Sequence, residues 1–359
     1  MTGPVSWPLI YELVARWKSL ELSSLPCSVA LGGRFDNGRG SGMQLFQRDR
    51  ITEVVKIDVA ALEAVEEGFA ALGRGTVVQP PILSMTIEES NGEVDVKTAH
   101  IRGNSRFAIK VSPGFFDNPK IGLPSLNGLM MVFSAKTGLV DAVLFDEGYL
   151  TMVRTALAGA IAAKHLSRED SHRVTVLGAG EQATKQIEAL QLVRDIRVVD
   201  VWARRRDAAE TWAIPVRAKG LEVNVHDSAS LACRQADIII TTTPSQTPIL
   251  NGDDLPDGVH VTAMGSDSPE KRELDESVMT GADVFVCDTR AQSESNGELK
   301  AFAGRNVPFE VIELGQVIAE GKQVRKDRSD ITVCDLTGTG VQDTAIAGFA
   351  LARLEQEQN

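Results

Sequence analysis

Cysteine is scarce in this chain. The four residues, Cys27, Cys233, Cys287 and Cys334, are scattered over 359 positions with no C-x-x-C pair and no histidine at ligand spacing. That excludes a disulfide framework or a zinc site as an organising element, and reduced, mostly buried thiols are expected. Basic residues are also in deficit: 37 Lys and Arg face 49 Asp and Glu, a net charge of -12. Such a surface lacks the basic footprint of nucleic-acid binding and is not drawn to anionic membranes, which leaves small molecules as the expected partners. No uninterrupted apolar run approaches the eighteen or so residues of a membrane span, and the first charge from the N-terminus is Glu12, unlike the basic start of a signal peptide. A cytoplasmic protein is expected. No internal repeat is present.

Among what is there, 43% hydrophobic and 24% charged residues place the chain in the soluble globular range, at a length that favours two domains. Residues 1–42 end in "GGRFDNGRGSG", with the composition of a flexible linker, and are read as an extension; a docked amphipathic helix from Trp7 to Leu22 is the alternative. Residues 43–165 mix a helix from Ala60 to Leu72, strand-like alternation in "EVDVKTAH" and "RFAIKVS", and a second helix from Thr151 to His165, which predicts an α+β unit. Over 166–322 the texture changes to short apolar strands separated by helical stretches: "RVTVLG", "RVVDVWA", "LEVNVH", "ADIIITTT", "VHVTAMGS" and "VFVCDT". Repeated strand–helix alternation predicts a doubly wound parallel sheet. The tail, 323–359, reads as a strand, a glycine-rich turn and a helix, and is expected to return to the first unit.

The strand "RVTVL" runs into Gly178-Ala-Gly180-Glu181-Gln182-Ala183 and then the helical "TKQIEALQLV". This is the G-x-G-x-x-A dinucleotide fingerprint, whose glycines allow a tight turn and close approach of a pyrophosphate to the helix N-terminus. A Rossmann-type domain is expected; the alternative is a glycine-rich turn without a cofactor. An NAD-selective site wants an acid at the tip of the next strand, but "VWARRRD" offers Ala203 followed by Arg204, Arg205 and Arg206, while Asp200 falls inside the strand. Arginines there suit a 2'-phosphate and favour NADP(H) within an NAD(P)H site, unless they form a solvated basic turn. Thr243 and Gly265, at the ends of later strands, complete the candidate nucleotide lining.

Two cations stand out in the first unit. Arg154 falls in the first turn of the helix expected from Thr151, where the dipole disfavours a cation unless an anion sits there too. The small-residue face of that helix, Ala156, Ala158, Gly159, Ala160, Ala162 and Ala163, permits close packing. In "FAIKVS", alternation puts Phe107, Ile109 and Val111 on one face and Lys110 on the other, with Ala108 and Ser112. By themselves both cations also read as solvated surface residues.

In order along the chain, "IKVS", "NPKIGLPS", "LTMVRTALAGAIAAKHL", "VLGAGEQA", "HVTAMGSDSPEKREL" and "DLTGTGVQDTA" resemble the ornithine cyclodeaminase and mu-crystallin family, from Met43 to the C-terminus. Within it, "GEVDVKTAH", "VSPGFFDNPKIGLPSLNGLMMV" and "AMGSDSPEKRELD" resemble the cyclodeaminase-like proteins of ectoine utilisation. The resemblance implies a homodimer, with a substrate and dimerisation domain built from both chain ends beside a Rossmann-type cofactor domain. It implies that Lys110 and Arg154 hold a substrate carboxylate, that Ser125 lies by the cofactor, that Asp267 is the catalytic acid/base and that Lys271 is associated with the nucleotide. "SDSPEK" is also good turn and helix-cap chemistry. One departure stands out: where ornithine cyclodeaminases carry another substrate-gripping arginine, "QPPILSMTIEE" has Ser84 and Met85. A substrate other than ornithine is therefore expected, in imine reduction or diamino-acid cyclodeamination. A non-catalytic NADP(H) and small-ligand binding protein of the crystallin type is the competing reading.

Overall fold

Alternation at period two in "EVDVKTAH" and "RFAIKVS" builds the centre of a mainly antiparallel sheet, because one face of each strand must be covered while the other looks into a cleft. The computed structural model describes residues 34–35 and 42–358. Apart from the short strand Arg34–Phe35, which pairs with Met43–Gln47, the expectations for residues 1–41, with Cys27, lie outside the described residues. The sheet runs in the order Arg34–Phe35, Met43–Gln47, Val140–Phe145, Leu129–Ser134, Arg106–Phe115, Gly92–Ile101 and Val77–Val78, and Leu83–Ile87 also pairs with Gly92–Ile101. Its central register sets Lys97 opposite Lys110 and Asp95 opposite Ser112.

The second sheet is wholly parallel. Its order is Glu222–Val225, Val198–Trp202, Arg173–Leu177, Ile238–Thr241, His260–Ala263, Thr332–Asp335, Val284–Cys287 and Val311–Glu313. Helices cover such sheets on both faces, so central strands read as continuous apolar runs; Ile238–Thr241 and His260–Ala263 are buried throughout. The chain reverses its winding beside Arg173–Leu177, and in open α/β sheets ligands bind at the carboxyl ends of strands at such a switch point.

The tail departs from expectation. Its strand Thr332–Asp335 does not return to the first unit; it is fully buried between His260–Ala263 and Val284–Cys287 in the parallel sheet. Its run "ITVCDL" suits a strand covered on both faces. Only the helix Gly340–Gln356 crosses back, packing on the helix Val59–Gly73 and on Gly92–Ile101 and Arg106–Phe115. The turn between them, Thr337 to Thr339, therefore bridges the two sheets.

A second difference concerns the helix Tyr149–Leu166, which starts two residues before the expected Thr151. Gly148, at φ +82°, turns the chain into the helix, and the Asp146 carboxylate accepts from the Leu150 N–H at 2.8 Å. Arg154 consequently lies in the second turn. This helix packs against Glu181–Leu190 of the parallel-sheet unit. Gly159 makes the approach possible, since a Cβ there would stand 2.1 Å from Gln186 Oε1.

Candidate functional site

Where the strand Arg173–Leu177 ends, Gly178 adopts φ +125°, and an added Cβ would meet Thr242 Oγ1 at 2.5 Å, so the turn requires glycine. Gly180 faces open space, and the helix Glu181–Leu190 begins without a side-chain cap. Its first N–H groups are thus free for an anion. Gln182 adds a buried Nε2 with no partner, whereas Glu181 is exposed. These residues fit a dinucleotide phosphate. Asp200 is occupied elsewhere: it is buried and accepts from Arg173 Nε at 2.6 Å and contacts His226 Nε2 at 2.7 Å. At the strand tip Arg206 pairs with Asp227 and Arg205 lies 3.6 Å from Asp207, while Arg204 is exposed and makes no ion pair among the described residues.

The floor below the glycine turn is tied together by one carboxylate. Buried Glu273 accepts from the Thr243 N–H and Oγ1 and from the Gly265 N–H, each at 2.7 Å, and from Thr241 Oγ1. Burial pushes its pKa up to about 7 against the lowering effect of the threonine hydrogen bonds. A Cβ on Gly265 would lie 2.1 Å from Thr243 O, so the strand ends close only around glycine.

Between the two sheets opens a cleft of about 240 Å³, lined by Lys97, Lys110, Arg154, Thr243, Gly265 and Asp267 among others. Lys110 is 2% exposed, and its Nζ lies 3.1 Å from Asp343 Oδ2. Burial brings its pKa down to about 7; Asp343 opposes the shift, and Arg154 and Lys97 add to it. Arg154, also buried, sets Nε 3.0 Å from Asp343 Oδ1 and donates Nη1 to Gln342 Oε1 at 3.0 Å. What differs from the expectation for Arg154 is its position, the second turn of the helix instead of the first. In the second turn Arg154 already has a carboxylate, supplied by the returning C-terminal helix. One Asp343 thus serves both cations.

From the opposite wall comes Asp267, half-exposed to the cleft, accepting from Lys271 Nζ at 2.8 Å. Burial would raise its pKa, but Lys271, Lys97 and Arg154 hold it below the usual carboxylate range. Lys271 also reaches Glu93 on the first sheet at 3.5 Å and lies 5.4 Å above the Phe116 ring, so it bridges the cleft. Lys300 pins the Asp267 loop, donating to Ser266 Oγ at 2.8 Å and to Ser268 O at 3.0 Å.

A family model, ornithine cyclodeaminase/mu-crystallin, matches residues 43–358. The chain belongs to the ornithine cyclodeaminase/mu-crystallin family. It is 51% identical over 315 residues to a putative dehydrogenase of Rhizobium meliloti (strain 1021), covering 87% of this chain and 95% of that one. Among solved structures it is similar to an archaeal alanine dehydrogenase dimer with bound NAD (30% identity, TM-score 0.81, 88% and 97% of the two chains). It is likewise similar to the Δ1-pyrroline-2-carboxylate reductase of Thermococcus litoralis in complex with NADH and L-proline (26% identity, TM-score 0.81, 88% and 98%).

Of the residues that carried the family resemblance, Lys110, Arg154, Asp267 and Lys271 converge on the cleft together with Gln182, Thr243 and Gly265. Ser125 does not line it, although its neighbour Leu126 does. Sequence reasoning missed Glu93, Asp95 and Lys97, which alternate on the cleft face of one strand, and Asp343 with Gln342. The alternation of "EVDVK" was a usable signal for the first three. Gln342 and Asp343 stood in "DLTGTGVQDTA", which carried the resemblance, but their contacts with Arg154 and Lys110 exist only when the last helix packs on the first sheet.

Proposed function

We propose that this family member is a nicotinamide-dependent enzyme acting at the α-carbon–nitrogen bond of a small amino or imino acid. Imine reduction is the leading reaction. The single observation that carries this reading is the cleft itself, which holds paired buried cations, Lys110 and Arg154, and a half-exposed carboxylate, Asp267, beside a glycine turn fitted to a dinucleotide. Lys110 and Arg154 anchor the substrate carboxylate. Asp267, in contact with Lys271, passes a proton to or from the substrate nitrogen. When bound, the nicotinamide cofactor supplies or accepts the hydride. The walls of the small cleft limit water, to which free imines are lost by hydrolysis. Arg204 favours NADP(H) over NAD(H).

Cyclodeamination of a diamino acid is the second reading, favoured by Glu93 and Asp95, whose carboxylates line the same cleft and suit a distal ammonium. The motifs shared with ectoine-utilisation proteins make diaminobutyrate-related compounds the first candidates, and a cytoplasmic homodimer is the working form. The test follows cofactor absorbance with imino acids, generated from amine and 2-oxo-acid pairs, and with diamino acids. Stoichiometric NAD(P)H oxidation supports reduction, and ammonia release without net cofactor change supports cyclodeamination. With Asp267→Asn, a catalyst loses rate while keeping cofactor affinity; unchanged turnover removes Asp267 from the mechanism.

A further inference from the structure

Lys97 is 5% exposed, lines the cleft and takes no part in the chemistry above. Its Nζ donates to two backbone carbonyls of the bridging turn, Thr337 O at 3.3 Å and Gly338 O at 3.1 Å. Asp95, the carboxylate paired with it, is 3.9 Å away, too far for a hydrogen bond, and accepts instead from Ser84 Oγ at 2.6 Å. An ammonium has three donors, so one is left inside the cleft. Directly across the strand pair stands Lys110, and like charges opposite one another on a sheet are destabilising. Buried ammonium groups persist when something anionic meets them. Asp343 is already shared by Lys110 and Arg154, and the carboxylates that face Lys97, namely Asp95, Asp267 and Asp288, act on it through space without taking its remaining hydrogen.

We propose that Lys97 is a third substrate-binding cation, donating its remaining hydrogen to the substrate carboxylate beside Lys110 and Arg154. The neighbouring strand Leu83–Ile87 brings no cation to the cleft: Ser84 is exposed and pairs in register with Asp95. Lys97 is therefore the cation that this edge of the first sheet presents there. Asp288 holds the far side of the bridging turn, accepting from the Gly338 N–H at 2.7 Å and from Thr337 Oγ1 at 3.0 Å, so the turn keeps an anchor that does not depend on Lys97.

This inference rests on the reading of Lys110 and Arg154 as a carboxylate site, and the experiment separates the two. Propionate and its neutral analogue propionamide are titrated calorimetrically into the protein saturated with NADH. The wild type is compared with Lys97→Met, Lys97→Gln, Lys97→Arg and Lys110→Met. Lys97→Gln keeps an N–H donor for the turn but removes the charge. For Lys97→Met and Lys97→Gln we expect propionate to bind at least tenfold more weakly, with propionamide changed less than twofold, and Lys97→Arg to stay within threefold of wild type. If Lys97 merely holds the turn, both ligands weaken together in Lys97→Met and neither changes in Lys97→Gln, which overturns the proposal. Unchanged propionate binding in the Lys97 variants with a loss in Lys110→Met overturns it too, while leaving the carboxylate site intact. A wild type that does not prefer propionate to propionamide overturns both.

Discussion

Lys110 should make carboxylate binding fall as pH rises above about 7. Burial brings its pKa from the ordinary 10.5 down to about 7, with Asp343 opposing the shift and Arg154 and Lys97 adding to it. Near pH 7 the empty site therefore holds the ammonium in only part of the molecules, and a carboxylate binds that part. For such a linked proton the apparent dissociation constant scales as 1 + 10^(pH − 7). The predicted weakening is about fivefold from pH 7 to 8 and about tenfold for each further unit. The assay is propionate binding between pH 6 and 9, since propionate stays ionised across that range. Lys110→Arg should flatten the profile, because a guanidinium does not deprotonate there, while weakening binding at low pH through its different geometry. A wild-type profile level from pH 6.5 to 9, or the same slope in Lys110→Arg, would refute the reasoning. The same residue carries a stability signature. Between pH 7 and 10.5 the unfolded chain holds this proton and the folded one does not, so its contribution to stability rises with pH. The limit is roughly 5 kcal/mol at 1.36 kcal/mol per pH unit, and Lys110→Met should remove that rise from urea denaturation measured at successive pH values.

At the interface of the two units, Gly159→Ala places a Cβ against the Gln186 amide and should lower unfolding free energy by about 1–3 kcal/mol; a melting temperature equal to wild type would show that Gln186 moves aside freely. Gly178→Ala combines a left-handed φ with a close approach to Thr242 and should weaken nucleotide binding at least tenfold, read by titration of NADH fluorescence. Arg204→Ser should reduce NADPH affinity by at least about tenfold while leaving NADH nearly unchanged, in line with about 1.5–3 kcal/mol for a hydrogen bond to a charged group. A wild type that does not bind NADPH would remove Arg204 from cofactor selection.

The sequence alone determined the parts whose signal is local. The run "RVTVLGAGEQA" set a strand, a glycine turn and a helix start, because the order of these elements depends only on neighbouring residues. Period-two alternation placed Lys110 on the face opposite Phe107 and Val111, and the small residues after Arg154 marked a helix that packs closely. The tertiary structure decided what long-range contact controls. Arg154 is buried against Asp343 only because the last helix, nearly two hundred residues later, crosses back onto the first sheet. Thr332–Asp335 enters the middle of the parallel sheet; its apolar run suits a strand covered on both faces, but nothing local says which two strands it joins. Lys97 looks like one more alternating strand residue until the bridging turn sets two carbonyls on it and strand register sets Lys110 opposite. Charge and alternation are written along the chain, but which charges share a cleft depends on the order in which strands pair.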